Sequence, residues 1–226
     1  MPLRAIVFDF DGVLADTEPL HLKAAQRVLG EVGLSLAETD YYDRFLGFDD
    51  VGLFRAVAAQ GNLPLDAVAV RDLVVRKAQV LESLIDDGSV LFAGVRECVA
   101  RCAKGSTLAI ASGALGREID MILRRTGLRE AFQVIVGAED TPQSKPAPDP
   151  YVRAVELLRA ASLAGLQPRE CVAIEDSRWG LQSARAAGLR CVAVAHTYPA
   201  EALREADFVV ATLADITVER LQQLCA

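Results

Sequence analysis

Apolar positions along the chain fall into two rhythms. Short, nearly unbroken runs rich in Val, Ile and Ala have the length and β-branched content of strands buried on both faces. They are "LRAIVF" (3–8), "TLAIAS" (107–112), "QVIVG" (133–137), "CVAIED" (171–176), "CVAVA" (191–195) and "DFVVA" (207–211). Between them, apolar residues recur every three or four positions, as on one face of a helix. These segments are "GVRECVARCAK", "GREIDMILRRTG", "DPYVRAVELLRAA", "WGLQSARAAG", "PAEALREA" and "VERLQQLC". Gly127 and Gly188 stand where a helix C-terminus needs a residue with positive φ. Strand–helix alternation of this kind predicts an α/β fold, a Rossmann-like parallel sheet with helices on both faces.

One stretch breaks the alternation. From Thr17 to Asp87 only helical periodicity is visible, in "PLHLKAAQRVLGEVG", "DDVGLFRAVAAQG" and "DAVAVRDLVVRKAQVLESLI". The expectation is an all-helical domain over residues 17–87, inserted into an α/β core made of residues 1–16 and 88–226.

Composition narrows the classes. At 226 residues with 52% hydrophobic content, the chain can bury a sizeable core. A net charge of −7 argues against nucleic acid as a partner, because phosphate neutralisation needs clustered Lys and Arg. An anionic ligand must then be held by local positive charge rather than by the field of the whole molecule. The five cysteines form no C-x-x-C pair and no zinc-like cluster, so they are expected to be buried free thiols of a reducing compartment. No run approaches a membrane span, and the short N-terminal apolar run is cut off at Asp9, unlike a secretory signal. A cytoplasmic protein with no membrane partner, a monomer or weak homodimer, is the expectation.

Chemistry gathers at the strand ends, where open parallel sheets bind ligands. Asp9, Asp11 and Gly12 follow the first strand, Ser112-Gly113 the second, Lys145 lies beyond the third, and Glu175-Asp176 close the fourth. Crowded carboxylates repel and hold their protons unless a cation sits among them, and Mg²⁺ is the hard, oxygen-loving ion that suits them. Ser112-Gly113, read as lying at a helix N-terminus, offers a hydroxyl and free N–H groups to an anion. Lys145 adds a point charge able to reach a phosphoryl oxygen. Singly, each residue reads as a turn, a cap or a solvated charge. Together on successive strand ends they describe phosphoryl chemistry.

"DFDGVL" (9–14), "ASG" (111–113), Lys145 in "SKPAPDPY" and "IEDS" (174–177) resemble the four ordered motifs of the haloacid dehalogenase superfamily, in particular its phosphatase and β-phosphoglucomutase branch with an inserted helical cap. The resemblance implies roles. Asp9 is the nucleophile and forms an aspartyl-phosphate, while Asp11 is general acid and then base, with a raised pKa. Mg²⁺ is held by Asp9, the Asp11 carbonyl and Asp176, with Glu175 direct or through water. Ser112, Gly113 and Lys145 bind the phosphoryl oxygens, and Gly12 allows the chain to turn beside them. Dehalogenases proper lack the second aspartate, so phosphate esters are implied.

The cap is expected to choose the substrate. Mutases of this branch carry a segment like K-G-x-S-R, and here "FLGFDD" (45–50) puts Leu46 at the Lys place and Asp50 at the Arg place. That loss favours a phosphatase acting on a small phosphorylated metabolite, a sugar or sugar-acid phosphate. His21 and Lys77 keep a sugar phosphomutase open, since both match cap residues able to reach substrate, although Lys77 also reads as a solvated helix face. His196 reads as a loop residue, and Trp179 as helix packing or as the floor of the site. A non-catalytic binding protein of the same fold is disfavoured by the complete motif set, and a flavodoxin-like receiver module by the inserted helices.

Overall fold

The computed structural model describes residues 2–45, 48, 50–85 and 90–226. The chain divides into two compact units, one of Met1–Asp16 with Val90–Ala226 and the other of Thr17–Ser89. The expected return to the core at residue 88 lies outside the described residues, as does Leu46.

The first unit is built on six parallel strands, β1 (Ala5–Phe8), β2 (Thr107–Ala111), β3 (Phe132–Val136), β4 (Cys171–Glu175), β5 (Arg190–Val194) and β6 (Phe208–Val210). Their order is β3-β2-β1-β4-β5-β6, the α/β sheet that the alternating pattern predicts. Alternate strand residues Ala5, Val7, Ala109, Ala111 and Ala173 pack with Tyr151, Ala154 and Leu158 and with Leu181 and Ala184 in one buried cluster. Tyr151, Ala154 and Leu158 lie on one helix of the unit, Leu181 and Ala184 on another. The period of two turns Ile6, Phe8, Leu108 and Ile110, also fully buried or nearly so, to the opposite face.

The second unit contains α1 (Glu18–Glu31), α2 (Glu38–Asp40), a π-helical turn (Tyr41–Phe45), α3 (Asp50–Gln60) and α4 (Ala67–Leu84), and its described residues include no strand. It has its own core, in which Leu22, Val28 and Leu29 meet Phe54, Val57, Val70 and Leu73. Asp66 caps α4 by accepting from the N–H groups of Val68 and Ala69.

In the α/β unit the remaining helices are α5 (Val95–Ala103), α6 (Gly116–Arg125), α7 (Asp149–Ala161), α8 (Arg178–Ala186) and α9 (Val218–Cys225). Gly127 and Gly188 have the positive φ expected of them. Two readings need correction. The "PAEALREA" pattern forms only a short 3-10 turn at Ala200–Leu203, because so brief a segment leading into β6 cannot repay helix nucleation. Ser112 does not start α6, whose N-cap is Leu115. All five cysteines are free and buried, as expected. No helix among the described residues is long and apolar enough to cross a membrane.

Candidate active site

Register builds the site. β1 and β4 are neighbours at the point where the strand order reverses, with Phe8 opposite Ile174. The residues just beyond that pair are Asp9 and Glu175, and the Asp9 N–H donates to the Ile174 carbonyl at 2.9 Å. Crevices at such reversals, outside the carboxyl ends of the strands, are where open α/β sheets hold ligands. Carboxylate oxygens of Asp9, Glu175 and Asp176 all lie within 4.8 Å of one another, and all three residues are buried.

Lys145 is brought to this cluster from the loop after β3. Its Nζ lies 2.8 Å from Asp9 Oδ1 and 2.6 Å from Glu175 Oε1. Three carboxylates against one ammonium leave two negative charges uncompensated if all are ionised. Even at an effective dielectric near 20, unit charges about 4 Å apart repel by about 4 kcal/mol. The carboxyl groups respond by holding protons. Burial and the Glu175 carboxylate raise Asp9 well above the usual carboxylate range, with Lys145 pulling the other way. Burial and Glu175 likewise push Asp176 up to about 6. Lys145 shows the converse: burial disfavours its charge, but Asp9 and Glu175 outweigh that and raise its pKa. A buried, oxygen-only cluster with more carboxyl groups than cations is the donor set that a hard divalent cation fits.

Glu175 is committed in many directions. It is fully buried, and its Oε1 accepts from Lys145 and from the Tyr151 hydroxyl at 2.7 Å. Oε2 accepts from the Asp176 N–H and the Ser177 hydroxyl at 3.1 and 3.2 Å. Ser177 also caps α8 through the Gly180 N–H, so capping and site-building are one arrangement here rather than alternatives. The helix comes so close that a Cβ on Gly180 would lie 1.9 Å from the Glu175 carboxyl carbon.

Asp11 is half-buried in the turn beyond Asp9 and is not one of the clustered carboxylates. Gly12, at φ 77°, lets that turn press against Asp176, whose Oδ2 would be 2.0 Å from any Cβ there. Ser112 is buried and Gly113 follows it, and together with Thr141, Ser144 and Lys145 they line a cavity of about 150 Å³. Of the N–H groups expected at the start of α6, that of Gly116 is held by the Glu139 carboxylate at 3.1 Å. The polar lining for an anion is therefore the Ser112–Gly113 turn and the Thr141–Lys145 loop.

In the helical unit, His21 and Lys77 are brought together with each other. Lys77 is buried and pairs with Asp50, so it is not a solvated face, and its Nζ lies 2.8 Å from His21 Nδ1. An ammonium only donates, so this His21 nitrogen accepts and the ring hydrogen sits on Nε2. Trp179 is 57% exposed and packs edge-on against Tyr198. Tyr151 and Gly180 were missed from sequence. Helical periodicity tells that Tyr151 faces the sheet, but only the fold brings its hydroxyl to a residue on β4.

A family model described as haloacid dehalogenase-like hydrolase matches residues 6–194. Protein CbbY of Rhodobacter capsulatus is 39% identical over 221 residues, covering 93% of this chain and 92% of that one. Hexitol phosphatase B of Escherichia coli (strain K12) is 32% identical over 227 residues, 99% of this chain and 95% of that one. Among solved structures, CbbY from Rhodobacter sphaeroides in complex with phosphate superposes with a TM-score of 0.79 at 26% identity, over 95% of this chain and 96% of that one.

Proposed function

The chain belongs to the haloacid dehalogenase-like hydrolase family, and we propose that within it the protein is a Mg²⁺-dependent phosphatase of a small phosphorylated metabolite, a sugar or sugar-acid phosphate. It is a phosphoric monoester hydrolase. The observation that carries this reading is Lys145 spanning Asp9 and Glu175 beside Asp176, next to the small polar cavity at Ser112. Curated relatives of comparable length named as sugar phosphatases support the substrate class.

In the proposed reaction, Asp9 attacks phosphorus through a carboxylate oxygen while the ester P–O bond breaks. Asp11 gives its proton to the leaving oxygen, which departs as the alcohol. A water molecule then attacks the aspartyl-phosphate, Asp11 takes its proton, and the bond from phosphorus to Asp9 breaks to release phosphate. Ser112, Gly113 and Lys145 hold the phosphoryl oxygens as charge spreads over them. Asp9, the Asp11 carbonyl and Asp176 would hold Mg²⁺, with Glu175 acting mainly by fixing Lys145. The bound ion supplies the positive charge that keeps Asp9 ionised against its carboxylate neighbours. The helical unit acts as the cap, in which Lys77 is already neutralised by Asp50 and so is poorly placed to draw a second phosphate group.

Phosphate release from an aryl phosphate in Mg²⁺ should fall by at least about a thousandfold in Asp9→Asn, since the nucleophile is lost. Wild-type turnover in that variant would sink the assignment. Isomerisation of a sugar phosphate, primed by a bisphosphate and faster than phosphate release, would instead establish a mutase.

A further inference from the structure

The loop after β5 makes contacts that the reaction above does not use. His196 Nδ1 lies 3.1 Å from the Gly12 carbonyl oxygen. A carbonyl only accepts, so Nδ1 carries a hydrogen and donates it. The imidazole stacks on Phe92, with centroids 4.2 Å apart and planes at 25°. Phe92 is tied to the same turn, its N–H donating to the Leu14 carbonyl at 3.2 Å. The next residue, Thr197, reaches the same turn beside Asp176: a Cβ on Gly12 would lie 2.8 Å from Thr197 Oγ1 and 2.0 Å from Asp176 Oδ2.

Glycine makes a left-handed turn possible but does not hold it, because both its dihedrals are soft. At Gly12 each side of the residue is pinned: its N–H donates to the Ala15 carbonyl at 2.9 Å, and its carbonyl accepts from His196. The Ala15 bond holds the planar Asp11–Gly12 peptide and the His196 bond the planar Gly12–Val13 peptide, so the two together restrict both dihedrals of Gly12 and with them the path of the turn that carries Asp11. One loop thus reaches both the turn that bears Asp11 and the carboxylate of Asp176.

We propose that His196 is a positioning residue: its Nδ1–H, with the ring held against Phe92, clamps the Gly12 turn and so aims Asp11, while Thr197 steadies Asp176 from the same loop. The catalytic half of this inference rests on the phosphatase reading, whereas the clamp itself does not.

Isosteric amides separate the two ring nitrogens. Asparagine at 196 puts an N–H donor near the place of Nδ1, and glutamine puts one near Nε2. In the full-length protein with Mg²⁺ and an aryl phosphate, His196→Gln should lose about tenfold or more in kcat with KM little changed. His196→Asn should keep kcat within about threefold of wild type. Without substrate or metal, amide hydrogen exchange over residues 10–15 should quicken in the Gln variant at unchanged melting temperature, and not in the Asn variant. Equal exchange in the two variants overturns the clamp. An exchange contrast with equal kcat overturns the positioning role. If the exchange contrast holds but the wild-type protein releases no phosphate, the clamp stands and the phosphatase reading falls.

Discussion

An aspartate held out of water beside other carboxylates keeps its proton to a higher pH than it does in the unfolded chain. Asp176, pushed by burial and by Glu175 from 3.8 to about 6, is such a group, and Asp9 moves in the same direction. The sign follows from linkage. Between about pH 4 and 6 these two groups bind more protons in the metal-free native state than in the unfolded chain, so their contribution to stability falls as pH rises through that window. For Asp176 alone the loss across that window is about 2 kcal/mol, out of a full difference of about 3 kcal/mol. Urea unfolding in a chelator at pH 4 and pH 6.5 should therefore show Asp176→Asn gaining relative to wild type as pH rises. A difference between the two proteins that stays constant with pH would refute the titration assigned to Asp176. The sequence made Asp9, Glu175 and Asp176 legible because each is a charge at the end of a buried strand, and Lys145 because it is a cation in the loop that follows one. It hid Tyr151, Gly180 and His196, since an apolar-face tyrosine, a helical glycine and a loop histidine acquire their partners only through long-range packing.

Helix α8 shows how an element rather than a residue shapes the site. Its first turn must hold the Ser177 cap and lie against the Glu175 carboxyl group, and glycine at 180 satisfies both. Alanine in a helix interior gains up to about 1 kcal/mol over glycine. At 180 the added methyl would meet a fully buried carboxylate fixed by Lys145, Tyr151 and Ser177, and overpacking costs about 1–3 kcal/mol. Overpacking should win. Gly30, exposed in α1 with nothing within 4 Å of a Cβ, is the control in which propensity should win. Denaturant midpoints are expected to fall for Gly180→Ala and rise for Gly30→Ala; a rise in both would show that α8 does not press on Glu175. Elements with strong periodicity and clear punctuation were legible from sequence to the residue, as for α7 and α9. The start of α6 at Gly116 was legible too, but not that Ser112-Gly113 stands apart from it, because Ser112 resembles a cap while the actual cap position is an unremarkable leucine.

At the scale of the molecule, the alternation of strands and helices announced a parallel sheet, but not the order of its strands. That order puts β1 beside β4, and so makes neighbours of Asp9 and Glu175, which stand far apart in the chain. It also puts the proposed metal ligands and all five buried cysteines in the same unit. Thiols buried to this degree react with a reagent only when the structure around them opens, so their labelling rate reports the stability of the α/β unit. An ion bound by Asp9, Asp11 and Asp176 has no comparable site in the unfolded chain, and it stabilises the native state by RT ln(1 + [Mg²⁺]/Kd). Where opening is fast and reversible, Mg²⁺ at about ten times its Kd should slow labelling by about tenfold. The Asp9→Asn variant weakens the site and should lose most of that protection. Unchanged labelling of wild-type protein at Mg²⁺ concentrations that saturate phosphate release would mean that the ion acts on the substrate and is not held by these carboxylates.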